Sequence, residues 1–173
     1  MSEQQNDNRL REGYERLLER MQGGANELTW EKLQKDLDDA VEFESELEEY
    51  TKDELALLRA WVERDLKDMR YFMADTGKQV ASWLGIDIDG LSRRVAESLL
   101  SIADRSVVER ERFEEDLEAA RADYCEGEMA APGLMACTHC DAQVMLPTVS
   151  RLEPCHQCGH RYFYRFPNKI IET

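Results

Sequence analysis

Apolar positions recur at intervals of three and four through the first 123 residues and then lose that spacing. Leu10, Tyr14, Leu17 and Met21 make the first stripe, the one-sided pattern of an amphipathic helix. Gly23-Gly24 is expected to stop it. Thr29 stands where an N-cap would, with Leu28 and Leu33 placed to close a hydrophobic staple. Leu33, Leu37, Ala40 and Leu47 carry a second helix to about Glu49. Thr51-Lys52-Asp53-Glu54 has capping-box spacing, so a new helix or a kink begins there. The clearest run follows: Val62, Leu66, Met69, Met73, Thr76, Val80 and Trp83 alternate steps of four and three, a heptad seam. Gly85-Ile86-Asp87-Ile88-Asp89-Gly90 interrupts it, with Asp89 as the next N-cap. Leu91, Val95, Leu99 and Ile102 resume the stripe, and Asp104-Arg105-Ser106 caps a further helix. Phe113, Leu117, Ala120 and Tyr124 then extend the seam. Trp30, Trp61 and Trp83 read as core anchors.

From residue 124 onward the punctuation changes. Gly127, Pro132, Gly133, Pro147 and Pro154 separate short segments. Val144-Met145-Leu146 and Tyr162-Phe163-Tyr164 read as strands. The expected fold class is therefore mainly α: a helical bundle or antiparallel coiled-coil hairpin over residues 1–123, then a small β ribbon over 124–173. A unit of about 50 residues buries little apolar surface and needs a metal or a disulfide to hold its shape.

Charge sharpens that division. The 173 residues carry 22 Lys+Arg against 37 Asp+Glu, a formal charge of −15. Residues 1–123 hold 32 of the acids and 18 of the bases, whereas all five cysteines, all three histidines and all four prolines lie after 123. So acidic a chain is not a simple phosphate-neutralising nucleic-acid binder. From Asp36 to Glu54 there are ten acids and one base, Lys52; the run reads first as a solvated helix face. Asp87, Asp89 and Gly90 have a faint calcium-loop spacing, but Leu91 falls at a ligand position and cannot coordinate. Met1 to Arg11 holds no signal-peptide core and no stretch approaches the ~20 apolar residues of a membrane span, so a cytoplasmic protein is expected. An odd number of cysteines fits that compartment better than a disulfide framework.

The chemistry lies in Cys137-Thr138-His139-Cys140 and Cys155-His156-Gln157-Cys158, a C-x2-C-x14-C-x2-C arrangement. Two thiolates two residues apart turn onto one ion from a tight knuckle, and a second knuckle completes a tetrahedron. Cys137, Cys140, Cys155 and Cys158 are the expected ligands of one structural Zn²⁺. The fourteen-residue spacer is long enough for a β-hairpin between the knuckles. Gly159 suits the positive φ that a knuckle needs. Asp141 stands where a rubredoxin-like iron site would favour glycine, which tells against iron. His139 and His156 read as exposed knuckle residues, His160 as packed on the ribbon, and Cys125 as a free thiol. In Tyr162 to Phe166, alternation puts Tyr162, Tyr164 and Phe166 on one face and Arg161, Phe163 and Arg165 on the other. The first set reads as the ribbon's apolar face. Stacking of these aromatics and arginines on bases is the competing reading.

The two knuckles, the following Gly159-His160, Phe163 and Arg165-Phe166-Pro167, and the upstream Leu100-Ser101-Ile102-Ala103-Asp104 resemble the bacterial YbeL-like zinc-ribbon-containing family. The likeness covers nearly the whole chain. It implies a small bacterial cytoplasmic protein with a zinc ribbon and no assigned activity. No Gly-rich phosphate loop, nucleophile elbow or open metal site is visible, so the expectation is not an enzyme but an interaction protein, an adaptor or regulator whose partner is another protein. The alternatives are a transcription-associated factor that reaches RNA polymerase through an acidic hairpin tipped by Asp87-Ile88-Asp89, and nucleic-acid binding through the ribbon. The helical seams leave a homo-oligomer open; a membrane partner is not expected.

Overall fold

The computed structural model describes residues 2–21, 29–76, 80–84, 93–105 and 124–165. The Gly23-Gly24 stop, Leu28, the turn at 85–90 with Asp87 and Asp89, Leu91, Ser106, the Phe113, Leu117 and Ala120 stripe, and Phe166 lie outside these residues. Within them, a mainly helical region precedes a small antiparallel sheet. The helices are α1 (Glu3–Met21), α2 (Trp30–Glu46), α3 (Lys52–Thr76), α4 (Val80–Leu84) and α5 (Arg93–Arg105). α1 packs against α2, α3 and α5, burying the Leu10, Tyr14, Leu17 and Met21 stripe.

Local chemistry explains the starts. The Thr29 hydroxyl accepts the Lys32 amide at 3.2 Å, capping α2. The box before α3 closes both ways: Glu54 N–H donates to Thr51 Oγ1 at 3.1 Å and Thr51 N–H to Glu54 Oε1 at 3.0 Å. The end of α2 differs from the sequence reading. The helix stops at Glu46, and Leu47 is a half-exposed cap rather than the next rung of the buried stripe. Glu44 takes that rung instead, fully buried, held by Arg20 at 2.7 Å and Arg16 at 3.5 Å. A carboxylate supplied with two guanidinium groups is tolerated where an unpaired one would not be. Of the heptad positions, Val62, Leu66, Met69 and Trp83 are buried and Met73 is half-buried.

The strands are β1 (Tyr124–Cys125), β2 (Met129–Ala130), β3 (Gly133–Cys137), β4 (Gln143–Leu146), β5 (Ser150–Arg151) and β6 (Tyr162–Arg165). Four form an antiparallel sheet in the order β1-β6-β3-β4, and β2 pairs with β5. Two expectations are corrected here. Tyr124 does not continue a helical seam; it lies on β1 opposite Phe163. The spacer between the knuckles is not a hairpin, because β4 pairs back onto β3 and β5 onto β2. β3, which precedes the first knuckle, is the strand that joins β4 to β6. Met129, Ala131 and Val149 from this part belong to the same buried cluster as the helical residues. A second, smaller cluster holds Tyr124, Met135, Leu146, Leu152 and Phe163 beside Cys137 and Cys155.

Candidate metal centre and its anchorage

The two cysteine knuckles have the same backbone. In the first, Asp141 N–H donates to Cys137 O at 3.0 Å and Cys137 N–H to Ala142 O at 2.9 Å. In the second, Gly159 N–H donates to Cys155 O at 2.9 Å and Cys155 N–H to His160 O at 3.0 Å. Each knuckle closes on a left-handed residue, Asp141 at φ 60° and Gly159 at φ 74°. Gly159 behaves as expected. Asp141 removes the argument made from it against iron, since an aspartate can adopt this conformation without the large penalty of a branched residue.

These turns bring four sulfurs together. The ligand atoms of Cys137, Cys140, Cys155 and Cys158 all lie within 4.8 Å of one another. Cys137 Sγ is 3.6 Å from Cys158 Sγ, and Cys140 Sγ is 3.5 Å from Cys155 Sγ. A tetrahedron with Zn–S bonds of ~2.3 Å has edges of about 3.8 Å. The arrangement therefore fits one four-coordinate ion. Backbone amides aim at the sulfurs: His139 N–H at Cys137 Sγ at 3.4 Å, and the amides of Ala142, Gln157 and His160 at Cys140, Cys155 and Cys158. In each case the donor sits two residues past the cysteine.

Proton affinities follow. Amides of Cys158 and Gln157 pull the Cys155 thiol down to about 6. The His160 amide favours the Cys158 thiolate too, but desolvation and the hydrogen bonds that the Cys158 thiol donates to the other three sulfurs outweigh it and push that thiol up to about 12. Four thiolates so close cannot all ionise without a cation. A divalent ion replaces those protons, and its binding energy becomes folding energy for the turns it ties.

The zinc-ribbon containing domain family matches residues 22–167. This chain belongs to that family. No curated protein and no solved structure matches it. The four clustered cysteines and the family together assign one structural Zn²⁺ to the ribbon. With four thiolates bound, a tetrahedral ion keeps no position for water.

Around the ribbon's knuckles, His139 and His156 are exposed. His160 stacks on the His139 ring at 5.3 Å and meets the Tyr162 ring edge-on at 5.8 Å. Cys125 is a half-buried free thiol.

The last strand reverses the face expected for its arginines. Tyr162 is 49% exposed and Tyr164 half-buried, while Phe163 and Arg165 point inward. Arg165 is 1% exposed. Its Nη2 donates to Asp65 Oδ1 and to Ala131 O, both at 3.0 Å; Nη1 donates to Pro132 O at 2.9 Å and Nε to Tyr124 Oη at 2.9 Å. The guanidinium also lies 4.0 Å from the Trp83 ring centroid and 3.4 Å from Asp68. An arginine so enclosed cannot stack on a base. Of the two arginines in the Arg161 to Phe166 run, Arg161 remains outside, 3.4 Å from Glu126.

Asp65 is the helical counterpart of Arg165. Besides that guanidinium it receives the Tyr14 hydroxyl, the Ala131 amide at 3.0 Å and Arg64 at 3.3 Å. Burial pushes its carboxyl up, but the two arginines, the Tyr14 hydroxyl and the Ala131 amide outweigh that and hold it below its ordinary value. Asp68 takes hydrogen bonds from Tyr124 at 2.8 Å and Trp83 at 3.3 Å. There burial prevails, and the carboxyl is raised despite Arg165. Arg64 reaches Glu128 at 2.9 Å and Met129 O at 2.5 Å. The helices and the ribbon thus share one buried polar network.

Sequence reasoning missed this network. A signal was present: in α3, Asp65 falls between Leu58, Trp61 and Phe72 on the face those residues bury. A carboxylate at the centre of an apolar stripe asks for a buried cation.

Proposed function

We propose that this chain is a non-enzymatic adaptor or regulator that acts by binding another protein. The zinc ribbon would supply a rigid platform and the acidic helices a charged face. One observation carries the reading: the metal donor set is closed, and the ribbon around it is clamped to α3 through Arg165 and Asp65. Such a centre holds shape and leaves substrate no place to coordinate. No helix among the described residues is long and apolar enough to cross a membrane. The resemblance to the YbeL-like family supports a bacterial cytoplasmic setting.

The test is affinity capture with the zinc-loaded full chain from a bacterial lysate, followed by reconstitution with the purified captured protein. The expected result is a stoichiometric complex. Failure to enrich any protein over the bare resin, or capture that does not survive reconstitution, overturns the reading.

A further inference from the structure

We infer that the flank of α2 bearing Phe43 and Leu47 docks a basic amphipathic segment of a protein partner. The inference rests on the adaptor reading and names the surface and chemistry it would use. Phe43 and Leu47 are each 46% exposed and stand four residues apart, so they form one apolar ridge. At ~100° per residue, Asp36, Asp39, Glu42 and Glu46 fall beside that ridge.

Beyond its first turn, the acids of α2 divide into two sets. Those turned toward other helices are neutralised: Asp38 by Arg59 at 2.6 Å and Glu44 by Arg20 at 2.7 Å. Among the described residues, Asp36, Asp39, Glu42 and Glu46 form no ion pair. Lys32 and Lys35 on the same helix do not pair with them, and the next base in the sequence is Lys52. Apolar side chains left half in water beside uncompensated carboxylates complement a segment that brings both greasy anchors and positive charge.

The ridge is also shaped. The Arg20 guanidinium lies 3.6 Å from the Phe43 ring centroid and fixes a ring that remains about half exposed. Next to it is a depression of about 370 Å³ floored by Met21, Ala40 and Phe43, with Asp36 and Asp39 along its α2 wall. Of the arginines that line it, Arg20 pairs with Glu44, while Arg105 donates to the Met21 carbonyl and keeps a buried Nε with no hydrogen-bond partner. The space accepts one apolar side chain from a segment whose lysines or arginines meet the acids. Nucleic acid does not suit this face, because its phosphates would meet carboxylates.

The experiment uses zinc-loaded full chain and fluorescence anisotropy. The probe is a labelled synthetic peptide that repeats Leu at four-residue spacing among lysines; a lysine peptide of equal charge without leucines is the control. The expected result is that the amphipathic peptide binds about tenfold more tightly than the control. Phe43→Ala/Leu47→Ala should abolish that preference. Asp39→Asn/Glu42→Gln/Glu46→Gln should weaken both peptides and flatten the salt dependence between about 50 and about 300 mM. Leu57→Ala, at a residue 50% exposed on α3, should bind as the parent does. Equal binding of the two peptides, or undiminished preference in the double alanine chain, overturns the surface. If that same double variant still forms the reconstituted complex of the capture experiment, the adaptor reading stands without this face. If neither chain captures a protein, both fall.

Discussion

Arg165 shows how far one residue's surroundings decide its role. Its side chain donates to one carboxylate, two carbonyls and a phenol and lies 3.4 Å from a second carboxylate, all in the interior. Gly133 makes room for it. That residue has φ 148°, and a Cβ there would lie 2.4 Å from Arg165 Nη1 and 2.9 Å from the Leu84 carbonyl. Replacing Arg165 with Met keeps the aliphatic stem but takes the guanidinium away from Asp68 and leaves Asp65 with Arg64 alone. Arg165→Met should cost about 3–5 kcal/mol by urea unfolding, the range for a broken buried pair. A cost below ~1 kcal/mol would mean that the network contributes no more than an exposed ion pair.

The same site sets an acid limit. The Asp65 carboxyl titrates lower in the folded chain than its ordinary 3.8. In that window the unfolded chain binds the extra proton, so the stability from Asp65 is present above about 4 and is lost as pH falls through the folded value. Asp68, raised by burial, works in the opposite sense: its contribution is lost as pH rises from its ordinary value through the folded one. Asp65→Asn should therefore lower stability at pH 7 and flatten its fall in acid. Asp68→Asn should cost less at pH 7. Unfolding curves recorded from pH 3 to pH 7 measure both slopes.

At the scale of elements, the knuckles and caps are local objects. A Thr-x-x-Glu box and a Cys-x-x-Cys turn close through bonds spanning three to five residues, so short sequence suffices to specify them. Gly159 tests how much of the second knuckle is backbone. Nothing lies within 4 Å of a Cβ placed there, so Gly159→Ala meets only the penalty of its φ of 74°. A loss of about 1–2 kcal/mol is expected, with Gly159→Asn losing less because asparagine tolerates that region. Equal losses for the two variants would point to something other than φ. The strands are less local. β4 and β5 follow one another in sequence but pair with different partners, β3 and β2, so strand partners could not be deduced from spacing.

For the molecule as a whole, the ribbon and the helices are joined by apolar contact as well as charge. Met129, Ala131 and Val149 sit in the helical core cluster. Removing zinc should therefore be felt beyond the ribbon. Chelation is expected to abolish the near-UV signal of the Tyr124 and Trp83 surroundings and to lower the urea midpoint of the helical far-UV signal in the same titration. Restoring zinc should recover both. A helical midpoint indifferent to chelator would show that the helices are stable without the ribbon.

By itself the sequence determined what short-range geometry determines: helices from the three–four spacing, the starts of α2 and α3 from their caps, and a four-thiol centre from two C-x2-C turns. The tertiary structure decided what depends on residues distant in the chain. Asp65 and Arg165 are 100 positions apart, and neither announces the other. Strand alternation separates two faces but does not say which is buried. That choice fell to Phe163 and Arg165, because the helical body presents a carboxylate to pair with the arginine and an aromatic ring to cover it. Likewise Leu47 was displaced from the buried stripe by Glu44 because α1 brings Arg16 and Arg20 to meet a carboxylate there.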